Sequence, residues 1–281
     1  MSRPLQLDGA VVAITGGARG IGRATAAEFA ARGARVAIGD LDPGAGGAGG
    51  GAAAFPLDVR SRASFTAFAD AVERTLGPID VLVNNAGVMP VGAFLEQDDE
   101  TDRTTLDVNV WGPLLGMRIV APRMAARGGG HVVNVVSMAG RLPVPGLAGY
   151  IASKHAALGL SLTVRRELHG SGVTVTAVLP SAVRTELSSG VPLGGGMPTV
   201  DPEDVARAVV ASCRRRPPAV AVPRWVGPLG TLSQLTPEPL MNALRRVLRD
   251  DRAVTRVDRH ARAAYEARVA AQGPTTIEED A

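Results

Sequence analysis

The sequence predicts an α/β fold, a doubly wound parallel sheet flanked by helices. Three observations carry that prediction. Short apolar runs rich in Val, Ile and Ala alternate with longer stretches of helical period. The first run passes through a glycine-rich turn straight into a helical stretch. Gly16, Asp40, Asn84, Ser137 and Pro180 all stand where such runs end, and parallel sheets bind ligands beyond the carboxyl ends of their strands.

Composition bounds the rest. A chain of 281 residues suits one large α/β domain or two small ones, and 46% apolar residues with only 3% aromatic ones supply a core of Ala, Val and Leu. The pI is about 9.7, yet the formal net charge is only +3, so charge does not point to nucleic acid. Cys213 is the single cysteine, which leaves no disulfide framework and no thiolate metal site. No apolar run approaches the roughly 18 residues of a membrane span. The first residues lack the apolar core of a secretion signal, so a soluble cytoplasmic protein is expected.

Residues 10–14 read as a buried strand, followed by Thr15-Gly16-Gly17-Ala18-Arg19-Gly20-Ile21-Gly22 and a helix over 23–32. Glycines in such a turn let the backbone approach a pyrophosphate, and the helix start offers free N–H groups. Residues 34–39 form the second strand, ending at Asp40, an acid placed to hold a ribose 2′-hydroxyl. A carboxylate there repels a 2′-phosphate and favours NAD over NADP, although Arg19 in the turn pulls the other way. A glycine–alanine tract over 44–51 reads as a loop. A strand over 52–57 ends in Asp58-Val59, a helix covers 61–76, and a strand over 79–83 ends in Asn84-Asn85-Ala86-Gly87. A long helical stretch, 99–127, is broken at Gly112-Pro113 and carries Asn109 on an apolar face, where an amide is costly without partners. The fifth strand, 131–136, ends at Ser137; the sixth, 172–179, runs into Pro180-Ser181-Ala182-Val183-Arg184-Thr185.

Between them lies Tyr150-Ile151-Ala152-Ser153-Lys154 on a helix reaching about residue 169. Lys154 is the only lysine in the chain, and Tyr150 is one of two tyrosines. Every other strong base is arginine, so charge alone does not explain the survival of one compact ammonium. Residues four apart share a helix face. A positive charge beside a phenol favours the phenolate and draws its pKa from about 10 towards neutrality. A phenol so tuned can exchange a proton at neutral pH.

Taken together, Thr15-Gly16-x-x-x-Gly20-x-Gly22, Asp58-Val59, Asn84-Asn85-Ala86-Gly87, Asn109, Ser137, Tyr150-x-x-x-Lys154 and segment 180–185 keep one order and spacing from about residue 8 to residue 225. In this the chain resembles the short-chain dehydrogenase/reductase family in its single-domain form. The resemblance implies a Rossmann fold of strand order 3-2-1-4-5-6-7 and reversible hydride transfer between a nicotinamide and a carbinol carbon. It implies Tyr150 as acid/base, Ser137 holding the substrate oxygen, and Asn109 holding a water of the proton relay. Lys154 would bind the nicotinamide ribose and lower the pKa of Tyr150. Cofactor contacts would fall to Gly16, Arg19, Gly20, Ile21, Gly22, Asp40, Asp58, Val59, Asn85, Ala86, Gly87, Tyr150, Lys154 and Pro180, with Val183 and Thr185 at the nicotinamide carboxamide. NAD is the expected cofactor, with NADP the lesser alternative, and no metal. The implied partner is a small alcohol or ketone, the implied assembly a homodimer or homotetramer. A non-catalytic dinucleotide-binding sensor or scaffold is the alternative, but it has no need of a proton relay.

Two departures stand out. Ser181 occupies the place of a usual glycine, which suggests a tighter nicotinamide pocket. The glycine tract replaces a short helix on the adenine side. Beyond the catalytic unit, 1–225, lies a helical extension, 226–281, packed on or next to it. Segment 188–199 reads as a substrate lid, residues 201–214 as a helix and 219–222 as the last strand. Residues 239–249 form a basic amphipathic helix, and 253–271 a more polar one. A basic amphipathic helix can lie on a membrane surface, cover a cleft or join subunits. The expectation is that the tail caps an apolar cleft lined by Val88, Met89, Met138, Leu142, Val144 and Leu187, suited to a bulky lipid-like or steroid-like alcohol.

Overall fold

The computed structural model describes residues 5–45, 51–192, 198–236 and 256–271. Most of the glycine tract, the middle of the expected lid and the amphipathic helix expected over 239–249 lie outside the described residues.

The runs read as strands form β1 (Val11–Thr15), β2 (Arg35–Asp40), β3 (Ala53–Pro56), β4 (Val81–Asn84), β5 (Gly130–Val135) and β6 (Val173–Pro180). Two short strands, β7 (Ala182–Val183) and β8 (Thr199–Val200), pair with each other outside the main sheet. The chain then returns to the main sheet as β9 (Ala219–Val222). The seven-stranded parallel sheet has the order β3-β2-β1-β4-β5-β6-β9, which is 3-2-1-4-5-6-7 when its own strands are counted. All of β1 is buried, as a central strand covered on both faces should be.

The helices are α1 (Gly20–Ala30), α2 (Arg62–Leu76), α3 (Asp99–Leu106), α4 (Gly112–Ala126), α5 (Ala148–Glu167), α6 (Pro202–Arg215), α7 (Gly227–Leu235) and α8 (Arg259–Ala270). One apolar layer joins α1 and α6 to the sheet through Phe29, Ile14, Val83 and Val209. The opposite layer seats α2 and α4 through Phe65, Phe68, Leu82, Leu115 and Met124. Helix α2 begins where the Ser61 hydroxyl accepts from Ser64 N, and its Phe65, Phe68, Ala69 and Val72 all face inward.

The helical stretch expected over 99–127 is interrupted earlier than its Gly-Pro pair suggested. A π-helical turn, Asp107–Trp111, joins α3 to α4, and Pro113 follows in the first turn of α4, where no N–H is needed. The sequence did not announce the turn.

His131 shows how the core constrains charge. It sits on β5 with no exposure, its Nδ1 2.8 Å from Thr174 Oγ1 and its Nε2 3.3 Å from Ser212 Oγ. Burial, helped by the nearby Arg216 and Arg165 charges, pushes its pKa down to about 3. The unfolded chain takes up this proton near pH 6.5, while the native protein resists it down to about 3. The unfolded state therefore binds more protons across that window, and stability falls as the pH drops through it. His131→Gln keeps polar contacts without a titrating group. Its acid-unfolding midpoint, followed by circular dichroism, is expected to move to lower pH; an unmoved midpoint would count against this account.

Candidate active site

The glycine turn is built by close approach. Gly16 has φ +64°, and a Cβ there would lie 2.8 Å from Ala86 Cα. A Cβ on Gly22 would collide with the Gly16 carbonyl oxygen. Thr15 and Asn85 stitch the turn to the end of β4. The Thr15 hydroxyl oxygen accepts from Asn85 N at 3.0 Å and Ala86 N at 3.1 Å. Asn85 Nδ2 donates to the carbonyls of Thr15 and Gly16 at 3.0 and 2.9 Å. Asn85 thus acts on the turn itself. Helix α1 starts from Arg19 with no side-chain cap and no acid in its first turn. Its first N–H groups suit the oxygens of a pyrophosphate.

The turn forms one wall of a cleft of about 450 Å³. Of the residues expected to form the site, all line this cleft except Gly22, which lies beneath the turn, and Asn109, which stands behind Val88. The expected apolar residues Val88, Met89, Met138, Leu142, Val144 and Leu187 line it too.

Ser137, Tyr150 and Lys154 converge on the cleft. The first follows β5, and the other two lie in the first turns of α5. Lys154 Nζ lies 5.6 Å from the Tyr150 ring centre and 3.3 Å from the Val135 carbonyl oxygen. Burial pushes the lysine down to about 8. Burial also pushes the Tyr150 phenol up to about 12, opposed by the neighbouring Ser137 hydroxyl. The expected downward tuning by Lys154 is thus not seen in the protein alone. The amine stands over the ring, and the same burial that raises the phenol weakens the lysine's own charge.

Asn109 sits in the π-helical turn with its amide fully used. Oδ1 accepts from Val88 N at 2.9 Å, while Nδ2 donates to the Val88 carbonyl at 2.9 Å and to Ser153 Oγ at 3.0 Å. Ser153 Oγ in turn donates to the Tyr150 carbonyl at 2.6 Å. The side chain therefore braces the turn that carries Tyr150, and its amide has no bond left to spare for the water expected there.

On the opposite side, Asp40 is fixed by Ala18 N at 3.1 Å and Asp42 N at 3.3 Å. Arg19 pairs instead with Glu186 at 3.2 Å. Asp58 forms an ion pair with Arg60 at 2.8 Å. Burial raises the Asp58 carboxyl, but Arg60 outweighs burial and holds it below the usual range. Ser181, the departure expected to tighten the pocket, donates to the Pro198 carbonyl at 2.7 Å, tying the segment after β6 to the chain entering β8.

Tyr265, Arg268 and Val269 of α8 also line the cleft, as does Glu186, and none of these was picked out from the sequence. A signal existed for Tyr265: it is the only other tyrosine. Among the described residues no cluster of His, Cys, Asp and Glu could hold a metal, and no helix is long and apolar enough to cross a membrane.

Gly22→Ala drives a methyl group into the Gly16 carbonyl. It is expected to cost about 1–3 kcal/mol of stability and to weaken dinucleotide binding by about tenfold or more, read by calorimetric titration.

Known proteins resemble this chain in sequence and in fold. Residues 10–193 match the family model described as short chain dehydrogenase. "Probable oxidoreductase EphD" of Mycobacterium tuberculosis is 32% identical over 263 residues, covering 84% of this chain; the chain spans only 44% of that protein's length. "D-threitol dehydrogenase" of Mycolicibacterium smegmatis is 40% identical over 190 residues, 65% of this chain and 73% of the relative. "Estradiol 17-beta-dehydrogenase 11" of Homo sapiens is 30% identical over 255 residues, 87% of this chain and 85% of the relative. Among solved structures, a short chain dehydrogenase/reductase from Burkholderia phymatum in complex with NAD superposes with a TM-score of 0.73 at 28% identity, covering 81% of this chain and 94% of that one.

Proposed function

The chain belongs to the short-chain dehydrogenase/reductase family, and on that footing we propose that it interconverts a secondary alcohol and a ketone with NAD, using Tyr150 as acid/base. The observation that carries the reading is the meeting of Ser137, Tyr150 and Lys154 in the cleft whose other wall is the glycine turn. The turn and the uncapped start of α1 fit a dinucleotide pyrophosphate, and Asp40 fits the adenosine ribose. When bound, the oxidised dinucleotide supplies the acceptor for the carbinol C–H hydrogen with its electron pair, and a positive charge that favours phenolate.

The protein's own groups handle the proton. Tyr150 takes it from the substrate hydroxyl in oxidation and returns it to the carbonyl oxygen in reduction. Ser137 holds that oxygen and donates to it as charge develops. Lys154, its own pKa lowered to about 8, is suited to pass the proton onward near neutral pH. Beyond it stands Asn109. The position a Cβ on Gly87 would take lies 3.1 Å from Asn109 Oδ1 and 3.6 Å from Lys154 Nζ, so Gly87 puts no side chain between them.

Two features support NAD over NADP. The Asp40 carboxylate is fixed at the end of β2, and Arg19 is already paired with Glu186. The apolar wall of Met89, Leu147, Val144 and Leu187 supports a bulky apolar alcohol. We read residues 1–225 as the catalytic unit and 226–281 as an extension packed on it, in a cytoplasmic homodimer or homotetramer; the seating of α8 on the cleft supports the first part.

Tyr150→Phe is expected to lower kcat by at least about a thousandfold, measured as NADH absorbance with secondary alcohols, while NAD still binds. Turnover near the parent level would refute the assignment. Asp40→Ser should shift the ratio of kcat/KM for NAD over NADP towards NADP by about tenfold, a change near 1.4 kcal/mol. An unchanged ratio would remove Asp40 from cofactor choice.

A further inference from the structure

Helix α8 is fastened to the cleft by Arg262, which has no exposure. Its guanidinium donates to the main-chain carbonyls of Leu187 at 3.3 Å, Ser189 at 3.0 Å and Met89, and Glu266 lies 3.1 Å from Nε. Asp258, the N-cap of α8, donates its own N–H to the Gly190 carbonyl at 2.8 Å. These bonds join α8 both to the segment after β7 and to the loop after β4. Fixing so many main-chain groups with one buried cation sets the helix rotation closely.

That rotation puts Tyr265 into the cleft. Its ring lies between Arg262, 4.8 Å away, and Arg268, 5.7 Å away. Its oxygen accepts from Met89 N at 2.7 Å. A phenol has one proton to give as well as lone pairs to offer. The Met89 bond uses a lone pair and leaves the proton, and none of the hydrogen bonds found among the described residues has Tyr265 as donor. Burial raises its pKa, so the proton is kept at neutral pH. It also lies close enough to Tyr150 for ionisation of either phenol to oppose ionisation of the other. A phenol donor without a partner in a largely apolar cleft selects for an acceptor on whatever fills it, because a buried donor left unmatched is costly.

We propose that Tyr265 donates a hydrogen bond to a second oxygen of the substrate, so that the protein takes an apolar alcohol that carries a further hydroxyl or carbonyl group besides the one it oxidises. This rests on the dehydrogenase reading above. It makes Tyr265 a specificity residue, with the reacting oxygen left to Ser137 and Tyr150.

The test compares cyclohexanol and decalinol with their diols, using the full-length protein and NAD, and then repeats the panel with Tyr265→Phe. The parent is expected to show a kcat/KM about tenfold higher for at least one diol than for the matching mono-alcohol. Tyr265→Phe is expected to erase that advantage, lowering kcat/KM for the diol by about tenfold more than for the mono-alcohol. Equal losses on both classes would overturn the inference, since they would mark a purely structural role through Met89. Should the variant not fold, the parent decides alone: mono-alcohols turned over as well as every diol would overturn it. A parent inactive on the whole panel would instead strike at the dehydrogenase reading, and the inference would fall with it.

Discussion

Much of the site depends on one amide. Asn109 holds the loop after β4 through both main-chain groups of Val88 and reaches across to Ser153, which holds the Tyr150 carbonyl. Three segments distant in sequence are thereby fixed by a side chain with 1% exposure. An unpaired amide in that position would be costly, so the π-helical turn and the start of α5 are set together.

The fold was legible because its signals are local. The β-branched runs, the inward stripe of α2 and the glycine turn each declare themselves within a few residues. Most expected site residues were legible for the same reason: a parallel sheet brings its strand ends to one edge, so Asp40, Asn85, Ser137 and Pro180 must gather there. What escaped was long-range. No periodicity marks the π-helical turn that carries Asn109. Nothing near Arg262 in the chain shows that it reaches the carbonyls of Leu187 and Met89. The pairing of Arg19 with Glu186 spans 167 positions.

The pKa of Tyr150 gives a different lesson. A tyrosine four residues before a lysine invites a reading in which charge alone tunes the phenol. In the folded chain both groups are buried, and burial opposes charge on either one. Proximity read from spacing omits that cost. In the proposed reaction, a bound oxidised dinucleotide would supply the positive charge that favours the Tyr150 phenolate.

The use of arginine almost everywhere else has a consequence of its own. Lys154 is the sole side-chain amine in 281 residues, and burial pushes its pKa down to about 8, which favours its neutral, nucleophilic form more than an exposed lysine's. An acylating or aldehyde reagent slender enough to slip into the crevice would meet one nucleophilic nitrogen there and no competing lysine on the surface. A lysine-directed tag would therefore have a single side-chain target, at the position where it would report most directly on what occupies the pocket.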